Sequence, residues 1–172
     1  MRAILADLLC CMRILLAPAF WIALRSSLPA LPFLVLSAAA LSDYVDGRIA
    51  RRVGSVSRRG AWLDVIADGF FVVVSLVAAA LQGWVSFFLP FAIALALAAL
   101  ARQWILVPPA AQQRRGRADR FGHAAGVANY AAVLLVAGVP LGWVPIPFCY
   151  AASWPIALLN LTPIFLRLRR AS

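Results

Sequence analysis

Two pairs of aspartates interrupt a chain that is otherwise almost free of acid. Of the six acidic residues, all Asp, four lie within positions 43–68: Asp43, Asp46, Asp64 and Asp68. Positions 30–41 before this stretch and 69–101 after it carry no charge. The 172-residue chain is 65% hydrophobic and 13% charged, which excludes an ordinary soluble domain and indicates an all-α integral membrane protein. A carboxylate in a membrane-spanning helix costs about 2.5–3.5 kcal/mol on insertion scales. Four would cost on the order of 10 kcal/mol unless cations compensate. The stretch is therefore a functional site or a liability.

The spacing favours a site. Asp43, Asp46, Gly47 and Ala50 are offset by 3, 4 and 7 residues, which puts them on one helical face. Gly60, Asp64 and Asp68 step by fours and form a second stripe on a second helix. Residues 51–59, a short basic connection with Gly54 and two serines, join the two. An antiparallel pair joined there aims both carboxylate pairs at one spot. Convergent Asp oxygens without His or Cys suit hard cations such as Mg²⁺, Mn²⁺ or Ca²⁺. Gly47 and Gly60 leave room for a ligand to approach the backbone.

The pattern D-x2-D-G-x2-A-R-x8-G-x3-D-x3-D resembles the signature of the CDP-alcohol phosphatidyltransferases. The chain carries it complete, as Asp43, Asp46, Gly47, Ala50, Arg51, Gly60, Asp64 and Asp68. The resemblance implies transfer of a phosphatidyl group from CDP-diacylglycerol to an alcohol, with release of CMP. It implies a site dependent on Mg²⁺ or Mn²⁺. Asp43, Asp46 and Asp64 then chiefly hold metal, and Asp68 adds a general base to its metal contact. Gly47, Ala50, Arg51 and Gly60 match the CDP-binding positions. Family members are commonly homodimers.

Six apolar segments of roughly bilayer length follow one another at about 3–24, 29–48, 60–82, 84–107, 121–140 and 147–166. The expected fold is one domain over residues 1–172, a bundle of six transmembrane helices. Arg2 and the sequence Ala17-Pro18-Ala19 mimic a secretory leader, but Asp7 and Arg13 interrupt its apolar run, so a retained helix is expected. Every basic residue is Arg. In this topology 15 of the 16 fall on the side of the termini and only Arg25 on the other. The positive-inside rule then makes the termini, the Asp motif and the basic loops cytoplasmic, with the bacterial inner (plasma) membrane as the expected location. Trp21, Trp84 and Trp143 would mark the outer interface, and Trp62 and Trp104 the inner one. The net charge of +10 is explained by topology and anionic lipid, so no nucleic-acid partner is expected. Cys10, Cys11 and Cys149 lack metal-ligand spacing and read as small core residues.

The acceptor side is less defined. Asp7-Leu8-Leu9-Cys10-Cys11-Met12-Arg13, with Pro18 beyond, resembles the N-L-L-T-x-x-R…P opening of the glycerol-phosphate-using branch, with Asp7 for Asn and Cys10 for Thr. Arg13 reads either as a snorkelling interfacial residue or as a group facing the site. Most Arg residues of the loop 108–120 read as topology anchors touching anionic headgroups. Where relatives carry G-K-x-K-T, this chain has Gly122-His123-Ala124-Ala125-Gly126. Arg117, Arg120 and His123 are the basic candidates there for an acceptor phosphate, with an interfacial role for His123 equally open. Many relatives read D-P-x-A-D-K at the second Asp pair, whereas here Gly69 follows Asp68. Glycerol 3-phosphate is the first acceptor the resemblance implies; phosphatidylglycerol, serine and inositol phosphate stay open. The rival readings are a cation transporter, since intramembrane acids also make ion paths, and an inactive paralogue.

Overall fold

The computed structural model describes the backbone of residues 2–53, 58–106 and 117–168, and the side chains of 12–42, 62–102, 104–105 and 121–165. Six helices occupy these residues: α1 (Arg2–Leu24), α2 (Leu31–Val53), α3 (Arg58–Leu81), α4 (Phe88–Leu106), α5 (Arg117–Gly138) and α6 (Ile146–Leu168). No strand occurs among the described residues. Each helix lies on one of the expected apolar segments, and the main differences are at the ends.

Helix α2 continues to Val53 and α3 already starts at Arg58. Most of the basic connection expected at 51–59 is therefore helical, and both stripes of the Asp motif stand on helix. Helix α5 begins at Arg117, so the end of the basic loop is helical as well. Helix α4 starts at Phe88, four residues later than its hydropathy indicates. Two local features cause the delay. Gly83 sits at a positive φ of 73°, where glycine has no steric penalty, and the Trp84 N–H donates back to the Ala79 carbonyl at 3.0 Å. Ser86 then caps the next helix, its Oγ accepting from the Phe88 N–H at 3.2 Å. Gly142 repeats the first device after α5, with a φ of 72° and the Trp143 N–H on the Gly138 carbonyl at 3.1 Å.

Three described segments are long and apolar enough to cross a membrane: Trp62–Leu81, Phe121–Gly138 and Ile146–Phe165. The stretches Met12–Leu24, Leu31–Ser42 and Phe88–Arg102 are apolar but shorter.

Helix α3 is the hub. It packs on α1, α4 and α5; α6 packs on α4 and α5; and α2 packs on α1 and α5. The contacts rely on small residues: Ala17, Ala39, Ala79, Ala92, Ala137 and Ala157 are all fully buried. Small side chains let helix backbones approach closely, which matters where lipid removes the usual hydrophobic drive. Phe20 and Phe71 fill the α1–α3 seam edge to face, with centroids 6.0 Å apart. Large apolar side chains such as Leu15, Ile22, Phe91 and Ile105 point outward. That inversion suits lipid as the surrounding solvent.

Candidate active site

Four polar side chains, Arg13, Asp64, Asp68 and Tyr130, gather where α1, α3 and α5 meet. Asp64 and Asp68 lie one turn apart on α3, so their side chains share a face. Arg13 of α1 reaches that face from a fully buried position. Its Nη1 donates to Asp64 Oδ1 at 2.7 Å and to Asp68 Oδ1 at 2.5 Å. The two oxygens lie within about 5 Å of each other, as two acceptors of one nitrogen must. Tyr130 of α5 completes the group, its hydroxyl donating to the same Asp68 oxygen at 3.0 Å.

The burial is graded across this cluster. The Arg13 side chain has 0% exposure, Asp68 28% and Asp64 45%. The guanidinium sits at the closed end, and the carboxylates open toward the end of the bundle that holds the start of α3. A buried Arg requires such partners, because an unpaired one in an apolar interior is very costly. The Arg13 contacts decide between its two sequence readings: it faces the site. One guanidinium serves two carboxylates, so the trio keeps an excess of negative charge when both are ionised.

The other expected site residues divide into three groups. Asp43, Asp46, Gly47, Ala50 and Arg51 lie on the last turns of α2, and Gly60 on the first turn of α3. Their side chains are outside the described residues, as are those of Arg117 and Arg120 on the first turn of α5. His123 is described and exposed, one turn further along α5.

No group of three or more metal-ligating side chains occurs among the described residues. Asp64 and Asp68 nevertheless have the right chemistry for a hard cation: paired oxygen donors, partly open, with negative charge in excess. They already draw one cationic group, Arg13, into the space between them.

Two features were not apparent from the sequence. Tyr130 is one; an aromatic in an apolar helix reads as packing, and nothing in the spacing assigns it to Asp68. The other is a pair of buried amides just beside it. Asn129 Nδ2 donates to Asn160 Oδ1 at 3.0 Å, and Asn160 Nδ2 donates back to Asn129 Oδ1 at 2.7 Å. Asn160 also donates to the Ile156 carbonyl at 2.8 Å. Asparagine within an apolar helix was the available signal. Gly69 now has a reason too: a Cβ there would lie 2.5 Å from Leu97 Cδ1, so the missing side chain lets α4 sit close against α3. At the same end of the bundle, Trp62 of α3 stacks on Trp104 of α4 at 5.3 Å.

The described residues thus form an apolar helical bundle that carries an Arg-bridged Asp pair at one end. The pattern of the CDP-alcohol phosphatidyltransferase family matches residues 3–160, and the chain belongs to that family. It is 38% identical over 68 residues to the CDP-diacylglycerol--glycerol-3-phosphate 3-phosphatidyltransferase of Haemophilus influenzae. That match covers 38% of this chain and spans 37% of the relative's length. No solved structure matches the chain significantly.

Proposed function

We propose that the protein transfers a phosphatidyl group from CDP-diacylglycerol to an alcohol, with glycerol 3-phosphate as the first acceptor, in phospholipid synthesis. One observation carries the reading: the second Asp pair of the family motif is held by a buried arginine at one point between three helices. Asp64 is nearly half exposed, so a ligand can reach it. The glycerol-phosphate-specific relative supports the acceptor.

In this reading the acceptor hydroxyl attacks the lipid-side phosphorus of the donor. A new P–O bond forms, the bond to the CMP phosphate breaks, and the hydroxyl proton passes to Asp68. Phosphoryl transfer needs in-line placement and charge neutralisation more than covalent help. Asp43, Asp46, Asp64 and Asp68 would hold Mg²⁺ or Mn²⁺, which when bound neutralises pyrophosphate charge. Arg51 contributes a guanidinium to the phosphates. Gly47, Ala50 and Gly60 keep the helix surfaces low beneath the nucleotide. Arg117, Arg120 and His123 stand on the first two turns of α5, where a basic group would meet an acceptor phosphate. Arg13, which the sequence also offers as an acceptor contact, is fully buried on Asp64 and Asp68, so in this reading it holds the two carboxylates. We also propose six spans, cytoplasmic termini and site, and assembly as a homodimer.

The test is incubation of the purified protein with CDP-diacylglycerol, Mn²⁺ and a panel of alcohols, read by lipid mass spectrometry and CMP release. Phosphatidylglycerophosphate is expected from glycerol 3-phosphate. Chelation should stop CMP release, and Mg²⁺ or Mn²⁺ should restore it. Product only with phosphatidylglycerol, serine or inositol phosphate would move the acceptor and keep the chemistry. No product with any alcohol, or full activity after exhaustive chelation, would sink the reading.

A further inference from the structure

We propose that Tyr130 is a positioning residue for Asp68, fixing the direction in which that carboxylate meets the acceptor hydroxyl. The proposal rests on the reading of Asp68 as the proton acceptor and deepens it. Three helices converge on one atom: Asp68 Oδ1, carried by α3, takes the Arg13 Nη1 of α1 and the Tyr130 hydroxyl of α5. A carboxylate on a short side chain still turns about its own bonds, and a single donor does not fix its plane. Two donors from opposite helices do. A base must lie within hydrogen-bond reach of the proton it takes, and a displacement of about 1 Å can cost on the order of 10²-fold in rate.

A second observation makes Tyr130 a reliable anchor. Its neighbour Asn129 is locked to Asn160 by reciprocal amide bonds in a buried setting. The height of α5 against α6 is thereby set, and with it the height of the Tyr130 hydroxyl. The placement on α5 adds a consequence. His123 lies seven residues, two turns, before Tyr130 and on the same face. Of the residues proposed to receive the acceptor, His123 thus shares a stripe of α5 with the residue that orients the base.

The experiment uses the full-length protein in lipid vesicles with CDP-diacylglycerol, Mn²⁺ and the alcohol that gives turnover in the panel above. Tyr130→Phe deletes one oxygen and keeps the ring. It should lower kcat by about tenfold or more while both KM values stay within about twofold. Saturating Mn²⁺, its affinity read by electron paramagnetic resonance of the free ion without substrates, should leave the loss of kcat in place. In an Asp68→Asn background the same change should have no further effect, since the residue acts through Asp68. Should Tyr130→Phe not purify in folded form, Tyr130→Leu is read by the same split. Wild-type kcat in the variant overturns the proposal. So does an equal loss added on top of Asp68→Asn, or a loss of kcat that saturating Mn²⁺ repairs. Failure of the underlying reading is separate: near-wild-type turnover of Asp68→Asn removes the base, whatever Tyr130 does.

Discussion

At the scale of single residues, Arg13 holds the most exposed consequence. Arg13→Met leaves two carboxylates facing each other without their counter-ion. Removing one partner of a buried ion pair costs about 3–5 kcal/mol. Asp64 is 45% exposed, so water offsets part of this, and about 1–3 kcal/mol is expected. The melting temperature in detergent should fall, and added Mn²⁺ should raise it more than in the wild type, because a bound cation then replaces the lost charge. A melting temperature equal to the wild type would mean that the pair does not hold α1 on α3. The roles proposed for the acids are separable by two variants. Asp68→Asn keeps the shape and removes the basicity, so turnover should fall by about 10²–10⁴-fold with a smaller effect on donor binding. Asp43→Asn should weaken metal and donor binding together. Matching kinetic profiles for the two variants would show that base and ligand are not distinct.

At the scale of elements, the helices follow from hydropathy but their ends follow from chemistry that is local. Gly83 and Ser86 set the α3–α4 turn through a positive φ and a side-chain cap. The Asn129–Asn160 pair sets how α5 meets α6. Such interhelical bonds in apolar surroundings contribute about 0.6–2 kcal/mol. Asn160→Leu leaves Asn129 without its amide partner and should lower stability by about 1–2 kcal/mol. The double change Asn129→Leu with Asn160→Leu should cost less than the sum of the two singles, because it removes both polar groups at once. Thermal unfolding of the four proteins in the cycle checks this. Strict additivity would show that the two amides act independently.

At the scale of the whole molecule, the distribution of Arg residues predicts an orientation. The Arg-rich segments 51–59 and 112–120 are expected on the cytoplasmic side. Single cysteines placed there in a Cys-free background should react with impermeant reagents from the cytoplasmic face alone. Labelling of either segment from outside intact cells would overturn the topology. The aromatic contacts bear on the same question. Trp62 stacks on Trp104, and Phe33 meets Trp143 edge to face at 5.6 Å. The first contact joins two residues expected at one membrane interface, and the second holds Trp143, expected at the other.

The residue pattern alone carried the class of the fold, the helix count and the Asp motif, because each depends on neighbours along one chain. Hydropathy reads a helix from consecutive residues, and i, i+4 spacing reads a face. Asp64 and Asp68 were therefore assigned to one stripe from their positions alone. The partners of that stripe were not readable, since Arg13 and Tyr130 stand 51 to 62 residues away from the acids they bind. Which side chain of α1 or α5 meets α3 depends on rotation and height of packed helices. Those are fixed by small residues, an amide pair and the space at Gly69, acting together across the bundle. Sequence left Arg13 between snorkelling and the site, and packing placed it at 0% exposure on two carboxylates. The Asp motif was written in the order of residues, and the contacts of its second pair arise where three helices meet.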